Sequence, residues 1–193
     1  MKYKEVRKER LVEIIEEKDK LIQELKSMKA ELEYQSCMDC VTGVLNRRAG
    51  LEVLGTTIED AARKGENFII CFADIDDFKK INDTFGHNQG DRLLTKIGDI
   101  LRENIRKTDT VFRIGGDEFV IIFLNTTLEV AKSICLRVCM KIEELKEADR
   151  SNCEIGLSCG FSEYNSNNKI SASELIRLAD EGMYVNKRSK EKE

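Results

Sequence analysis

The chain of 193 residues is long enough for one domain of ordinary size and an appendage. Hydrophobic residues make up 41% and charged residues 35%, which favours a packed core over wholesale disorder, and the net charge of −4 gives no general attraction to nucleic acid or acidic membranes. The longest apolar runs have six residues, too few to cross a bilayer, and the charged start MKYKEVRKER is unlike a signal peptide, so a cytoplasmic protein is expected.

Residues 1–36 are predicted to form one long helix. The segment contains no Gly or Pro and carries nine basic and nine acidic residues. Its apolar residues recur with the three- and four-residue spacing of a coiled-coil seam, at Leu11, Ile14, Leu21, Leu25, Met28 and Leu32. We interpret the helix as a parallel dimerisation stalk; a single solvated helix over the domain is the alternative.

The chain after this helix alternates between helices and strands. Asn46 can cap a helix that ends at Gly65, and FIICFAD (68–74) is typical of a buried strand. A short helix should follow it and end near Gly86, and a second helix is expected from about Asp91 to Arg106.

The second half of the chain opens with a hairpin at RIGGDEFVIIF (113–123). Thr126 and Glu129 predict a capping box for a long helix with a buried stripe that includes Cys135, so Cys135 is interpreted as a core residue rather than a ligand. A strand at 155–164 and a last helix capped by Ser171 and Glu174 follow. Residues 37–193 are therefore predicted to form an α+β domain with helices packed on a mostly antiparallel sheet.

Seven cysteines without a secreted spacing pattern indicate reduced thiols (Cys37, Cys40, Cys71, Cys135, Cys139, Cys153 and Cys159). Cys37 and Cys40 form a CxxC that could be half of a metal site. A second CxxC is missing from the sequence, and His87 is its only histidine, so zinc or redox chemistry is not favoured there.

Acidic residues follow two predicted strands. Asp74 ends the strand at 68–74, and Asp117 and Glu118 lie at the tip of the hairpin. If the two strands are neighbours, these acids converge, and oxygen ligands of this kind suit Mg²⁺ or Mn²⁺ in phosphoryl transfer. Gly115 and Gly116 would permit a tight turn and a close approach of a flat ligand. An ordinary turn with solvated acids is the alternative.

The segment DIDDFKKINDTFGHNQGD (74–91) adds groups that suit a nucleotide. It turns from the strand into a helix start, where free N–H groups favour phosphate, with Lys79 close by. Asn82 and Asp91 offer an amide and a carboxylate that suit the Watson–Crick edge of guanine. Asp91 could instead be only a helix cap, and Asn82 only a surface residue.

These motifs, together with DCVTGVLNRR (39–48), resemble the GGDEF family of diguanylate cyclases over about 150 residues. The resemblance implies a sheet like the palm of nucleotide cyclases and polymerases, preceded here by the coiled-coil helix. It also implies the condensation of two GTP into cyclic di-GMP across a homodimer, with two Mg²⁺ or Mn²⁺ ions per active site.

The resemblance also assigns roles to residues, each at the position that matches the family's motif. Asp74, the carbonyl of Ile75, Asp117 and Glu118 would hold metal, and Asp117 would help to deprotonate the attacking 3′-hydroxyl. Phe78, Lys79 and Lys187 would bind phosphates, with Gly115 and Gly116 close to the nucleotide, while Asn82 and Asp91 would hold guanine. Arg106 and Asp109 form an RxxD at the family's product-inhibition site, supported by Arg137.

One departure from the family's pattern qualifies this interpretation. The family usually has Gly-Arg after the late lysine, where this sequence has Lys190 and Glu191, with Arg188 or Lys192 as possible substitutes. The alternative function is therefore a weak or inactive domain that binds cyclic di-GMP or GTP as a regulatory module, and a structural coiled-coil protein is a further one. A sensor or partner protein acting through the N-terminal helix is the expected input.

Overall fold

The computed structural model describes residues 2–149, 155–168 and 170–190. The chain divides into two compact units, Met1–Cys37 and Met38–Glu193. Within the described residues there are six helices and four strands, namely α1 (Lys2–Cys37), α2 (Arg47–Lys64), β1 (Phe68–Asp76), α3 (Phe78–Phe85), α4 (His87–Asn104), β2 (Thr110–Arg113), β3 (Glu118–Leu124), α5 (Leu128–Asp149), β4 (Gly156–Tyr164) and α6 (Ala172–Lys190).

Helix α1 is continuous over the whole predicted stalk. The six apolar residues of the seam are 43–65% exposed, so the helix carries a solvent-facing apolar row. Apolar side chains in such a row gain free energy when a second helix covers them. Among the described residues, none of the helices is both long and apolar enough to cross a membrane.

The second unit is built on a four-stranded sheet in the order β2-β3-β1-β4. Each neighbouring pair of strands is antiparallel, which confirms the predicted α+β class. The two central strands β1 and β3 are almost entirely buried because helices cover both faces of the sheet. This double cover explains why their sequences are continuous apolar runs rather than alternating ones.

Successive residues of β1 point into two different cores. Ile69, Cys71 and Ala73 lie in a core shared with α4 and α5. Phe68 and Phe72 lie in a core shared with α2 and α6, on the opposite face. The same register places Asp74 opposite Glu118 of β3 and opposite Ser158 of β4, at the end of the sheet where the acids were predicted to meet.

Two helix starts differ from the prediction. Helix α4 begins at His87 rather than at Asp91, because Gly86 adopts a positive φ of 83° and lets the chain turn directly from α3 into α4. The capping box at Thr126 was wrong by one residue. Thr127 caps α5 instead, since its hydroxyl accepts a hydrogen bond from the N–H of Val130 at 3.4 Å and its carbonyl accepts from Ala131.

Candidate active site

The structure brings Asp74 and the GGDE turn together at one end of the sheet. Asp74 is only 8% exposed and lies opposite Glu118 in the strand register. The N–H of Ile75 donates to the carbonyl of Asp117 at 3.1 Å, which joins the end of β1 to the hairpin. The predicted meeting of two acidic strand ends is therefore present.

Burial and neighbouring negative charges raise the pKa of two acids at this edge, Asp74 and Glu118. Burial raises the pKa of Asp74, Lys187 opposes the rise, and the charges of Asp117 and Asp76 add to it. Burial also raises the pKa of Glu118, and Asp117 and Asp74 raise it further. Such a concentration of negative charge favours cation binding.

The donor chemistry at this edge fits a hard divalent cation. Asp74, Asp117 and Glu118 offer carboxylate oxygens, the ligands that Mg²⁺ and Mn²⁺ prefer. Among the described residues, one group of three metal-binding side chains has its ligand atoms within 4.8 Å of one another, and it consists of cysteines elsewhere in the domain. The carboxylate oxygens of Asp74, Asp117 and Glu118 are therefore not all that close together in this structure.

The two turn glycines have different surroundings. A Cβ on Gly115 would lie 2.0 Å from Oε2 of Glu118, so the Glu118 carboxylate occupies the space that a side chain would need. A Cβ on Gly116 would meet no atom of the described part of the chain within 4 Å. Gly115 therefore sets the position of Glu118, whereas Gly116 leaves open space beside the acids.

Arg113 holds the turn from behind, a role that the sequence analysis missed. Its Nε donates to the carbonyl of Gly115 at 3.1 Å, and a terminal nitrogen donates to the carbonyl of Gly116 at 2.6 Å. The other terminal nitrogen pairs with Asp39 at 3.0 Å. The position of an arginine two residues ahead of Gly-Gly was the available signal, since turn carbonyls without strand partners need donors.

Asp39 anchors this arrangement at the start of the second unit. Its carboxylate accepts hydrogen bonds from the N–H of Thr42 at 2.9 Å and from the hydroxyl of Thr42 at 2.7 Å. Burial alone would raise the pKa of Asp39, but the bonds from Thr42 and Arg113 bring it below its ordinary value. Asp39 is thus held as a charged carboxylate.

Helix α6 brings two lysines to the acidic edge. Lys187 pairs with Asp74, and the carboxylate raises the pKa of Lys187 although burial opposes the rise. Lys190 donates to Asp76 at 3.0 Å and to the carbonyl of Leu157 at 2.8 Å. The remaining oxygen of Asp76 accepts from the hydroxyl of Ser158 at 2.6 Å, so Asp76 has two partners.

These contacts bear on the residues that replace the family's Gly-Arg. Lys190 is engaged by Asp76 and β4, and Glu191 and Lys192 lie outside the described residues. The guanidinium of Arg188 lies 5.2 Å from the ring centre of Tyr184, a cation–π contact. In this arrangement neither Lys190 nor Arg188 is directed by its contacts toward Asp74.

The predicted phosphate residues follow β1 directly. Asp77 has a positive φ of 56°, and this turn starts α3 with Phe78 buried and Lys79 exposed. The buried ring of Phe78 fixes the first turn of α3 in the core. The N–H groups of that turn remain available to an anion, as at other helix starts.

The predicted guanine residues lie where α3 meets α4. Oδ1 of Asn82 is, among the described residues, a buried side-chain oxygen without a hydrogen-bond partner. A Cβ on Gly90 would lie 1.9 Å from this oxygen, so the glycine makes room for the Asn82 side chain. Asp91 follows Gly90 and is exposed, which leaves its carboxylate accessible. A buried acceptor without a partner is rare in proteins and fits a ligand donor.

The predicted product-binding residues cluster around the end of α4. Asp109 is 9% exposed, and its two oxygens accept from the N–H groups of Arg106 at 3.0 Å and Leu124 at 3.2 Å. Arg106 itself is exposed and borders a cleft of about 270 Å³ that also includes Arg102. Arg137 of α5 donates to the carbonyl of Asn104 at 2.7 Å, which places it beside the RxxD turn.

Known proteins resemble this chain in both sequence and fold. Residues 36–193 match the sequence model of the family described as Diguanylate cyclase, GGDEF domain. Diguanylate cyclase DosC of Escherichia coli is 39% identical over 155 residues, which cover 78% of this chain and 33% of DosC. The chain thus spans about a third of the length of that curated relative.

Two solved structures share the fold. The coiled coil and GGDEF domain of DgcB from Caulobacter crescentus, solved with c-di-GMP, has a TM-score of 0.79 at 23% identity and covers 93% of this chain and 95% of its own. Diguanylate cyclase SiaD from Pseudomonas aeruginosa, solved with its activator SiaC, has a TM-score of 0.73 at 29% identity. That match covers 97% of this chain and 71% of SiaD. These similarities confirm the predicted palm-like fold with an N-terminal coiled-coil helix.

Proposed function

Because the chain belongs to the GGDEF family of diguanylate cyclases, we propose that it condenses two GTP molecules into cyclic di-GMP with release of two pyrophosphates. The observation that carries this proposal is the meeting of Asp74 with Asp117 and Glu118 at one sheet end, within the region that matches the family. Relatives such as DosC are described as diguanylate cyclases, which supports the same activity here.

The residues at the sheet end have distinct parts in this proposal. Asp74, Asp117, Glu118 and the carbonyl of Ile75 would hold two Mg²⁺ or Mn²⁺ ions. Bound there, the ions would supply Lewis-acid stabilisation of the charge on the phosphates. Asp117 would help to remove the proton of the attacking 3′-hydroxyl. Lys187 would exchange its contact with Asp74 for the phosphates of the nucleotide once cations neutralise that carboxylate.

The other binding groups surround this centre. The start of α3, with Phe78 and Lys79, would hold phosphates through N–H groups and positive charge. Asn82 and Asp91 would bind guanine, and the open space at Gly116 leaves room for the nucleotide. An oxygen that is buried without a partner, on Asn82, is the feature that best supports a base with N–H donors.

A homodimer follows from the chemistry of the product. Each domain would hold one GTP, and each 3′-hydroxyl must attack the α-phosphate held by the other subunit in line with the leaving pyrophosphate. The exposed apolar seam of α1 supports a parallel coiled coil that raises the effective concentration of one half-site for the other. A sensor or partner protein acting through this helix is the proposed input, and the similar SiaD was solved in complex with an activator protein, SiaC.

Product inhibition is proposed at the RxxD turn. The exposed guanidinium of Arg106 and the cleft beside it could receive cyclic di-GMP, with Asp109 and Arg137 holding the turn. Bound product would then lock two domains in an unproductive arrangement.

A regulatory module that binds GTP or cyclic di-GMP without turnover is the second candidate. It is favoured by one observation, the engagement of Lys190 with Asp76 where the family usually has Gly-Arg. Incubation with GTP and Mg²⁺, followed by chromatography for cyclic di-GMP and pyrophosphate, separates the two. The cyclase should form both products, and Asp74→Asn and Asp117→Asn should each abolish them while circular dichroism shows an intact fold. GTP binding without either product would establish the module instead.

A further inference from the structure

Three cysteine sulfurs converge in the core beside β4. Cys71 lies in the middle of β1, Cys135 on the buried stripe of α5, and Cys159 on β4. Their Sγ atoms all lie within 4.8 Å of one another, and those of Cys71 and Cys135 are 3.6 Å apart. Cys159 pairs with Ala73, two residues from Cys71, so both thiols are on the sheet face that α5 covers.

The spacing of these sulfurs matches a metal–thiolate site. Zinc–sulfur bonds are about 2.3 Å long, which places two sulfurs of a tetrahedral site roughly 3.8 Å apart. The observed contacts need only small side-chain shifts to reach that geometry. We propose that Cys71, Cys135 and Cys159 form a thiolate site for a divalent d¹⁰ cation of the Zn²⁺ class, separate from the acidic edge.

A groove gives this site an entrance and a fourth ligand. The groove has a volume of about 710 Å³ and is lined by Cys135, Cys139 and Cys159. Cys139 lies one helical turn after Cys135 and is half-buried, with its Sγ 3.5 Å from the carbonyl of Leu157. The fourth position of a tetrahedral ion could be taken by Cys139 or by water from the groove.

Charge favours a divalent over a monovalent ion. Three thiolates with Zn²⁺ leave a single net negative charge, whereas Cu⁺ would leave one more in a largely apolar core. Lys132 lines the same groove and offers positive charge close to the site, whereas the Lys190 ammonium, also on the groove, is paired with Asp76. The competing explanation is that the cysteines pack as small apolar side chains with weak thiol contacts.

Cobalt substitution tests the proposal with a signal that activity does not affect. Co²⁺ bound by thiolates gives sulfur-to-cobalt charge-transfer absorption, whereas Co²⁺ bound by the carboxylates of Asp74 and Glu118 gives none. The full chain is titrated with Co²⁺ and then with Zn²⁺ as competitor, alongside two variants. Cys159→Ala removes a half-exposed ligand, and the double variant Cys37→Ser/Cys40→Ser removes the CxxC as a control.

The wild type and the CxxC double variant should bind one equivalent of Co²⁺ with the charge-transfer band, which Zn²⁺ then abolishes. Cys159→Ala should lose the band or bind at least about tenfold more weakly, with unchanged circular dichroism. Because Cys159 is partly exposed, this variant is expected to fold even if Cys71→Ala does not. Absence of the band in the wild type, or its loss only in the CxxC double variant, would overturn the proposal.

Discussion

Arg113 and Asp39 form an ion pair at 3.0 Å across 74 positions of the sequence, and the same guanidinium holds the carbonyls of Gly115 and Gly116. The two side chains are 15% and 20% exposed, so water screens them much less than a surface pair. The pair therefore joins the first loop of the domain to the acidic turn and fixes the turn's direction.

We expect Arg113→Lys to weaken both stability and turnover. Lysine keeps the positive charge but lacks the planar guanidinium group, whose N–H donors reach Asp39 and the two glycine carbonyls at the same time. The free energy of unfolding, measured in urea, should fall by about 1–3 kcal/mol, because part of the stabilisation from charged hydrogen bonds is lost. Arg177→Lys is the matched control, because Arg177 pairs with Glu174 and Glu181 on an exposed face and should change stability by less than about 1 kcal/mol. Equal losses in both variants would contradict the role given to Arg113.

Gly115→Ala and Gly116→Ala should distinguish the roles of the two turn glycines. A Cβ on Gly115 displaces the flexible end of Glu118, so stability should change little while turnover falls by roughly 10²-fold, as expected for a misplaced catalytic group. The methyl group of Gly116→Ala meets no atom of the described residues within 4 Å, so this variant should keep its melting temperature. Its defect should appear as a higher KM for GTP, because the methyl group takes space left for the nucleotide. Melting curves and steady-state kinetics on both variants provide the measurement. A Gly115→Ala enzyme with unchanged kcat would show that the Glu118 position is immaterial.

Glu118→Gln should stabilise the protein when no divalent cation is present. Burial and neighbouring acids raise the pKa of Glu118, so its contribution to stability is full below the ordinary carboxyl pKa and is lost as pH rises through the raised value. Near neutral pH the variant should therefore become more stable by about 0.2–1 kcal/mol, a small gain because Glu118 is only partly buried and water screens its charge. The gain should shrink as the pH falls through and below the ordinary carboxyl range, because the wild-type carboxyl then becomes protonated.

Saturating Mg²⁺ supplies the control for this effect. Cations that bind the native wild type stabilise it by mass action, and Glu118→Gln should lose part of that stabilisation along with its turnover. Thermal denaturation of the wild type and of Glu118→Gln, each with Mg²⁺ and with a chelator, measures the stability with and without the cation. A gain that persists unchanged at low pH would indicate that charge repulsion is not its cause.

Sequence patterns predicted the mostly antiparallel sheet, because apolar runs report buried strands. They predicted the meeting of Asp74 with Glu118 only if the two strands were neighbours, and the pairing of β1 with β3 supplies that condition. They did not reveal the contacts of Arg113, Ser158 or Lys190, because these join segments far apart in the chain. Arg113 of β2 reaches Asp39 in the first loop of the domain, and the packing of β4 and α6 against β1 brings Ser158 and Lys190 to Asp76. The cysteine cluster was missed for the same reason, since helical periodicity identified Cys135 as a core residue but not its sulfur neighbours.

Asn82→Ala should relax the choice of base at modest structural cost. Among the residues that the structure describes, Oδ1 of Asn82 has no hydrogen-bond partner. Its removal therefore breaks no hydrogen bond to that part of the protein, while a bound guanine would lose an acceptor for its N–H groups. The preference for GTP over inosine triphosphate, which lacks the 2-amino group, should fall by about 10- to 100-fold in kcat/KM. Asn88→Ala, on the exposed first turn of α4, is the control and should leave the ratio unchanged. An unaltered ratio in Asn82→Ala would place guanine elsewhere.

Charged residues in the seam of α1 should make turnover depend on protein concentration. Leu21 and Leu25 are 51% and 64% exposed, and a parallel helix would bury both, so Leu21→Glu with Leu25→Glu introduces repulsion into that contact. Without the stalk the two half-sites meet only by diffusion, and turnover per mole at low concentration should fall by about 10²-fold or more. The double variant Gln23→Glu/Lys26→Glu adds glutamates outside the seam and should behave as wild type. Specific activity measured over a protein dilution series, with sedimentation on the same samples, checks this. If the seam variant is monomeric yet keeps concentration-independent turnover, the helix does not serve to bring two GTP-bound domains together.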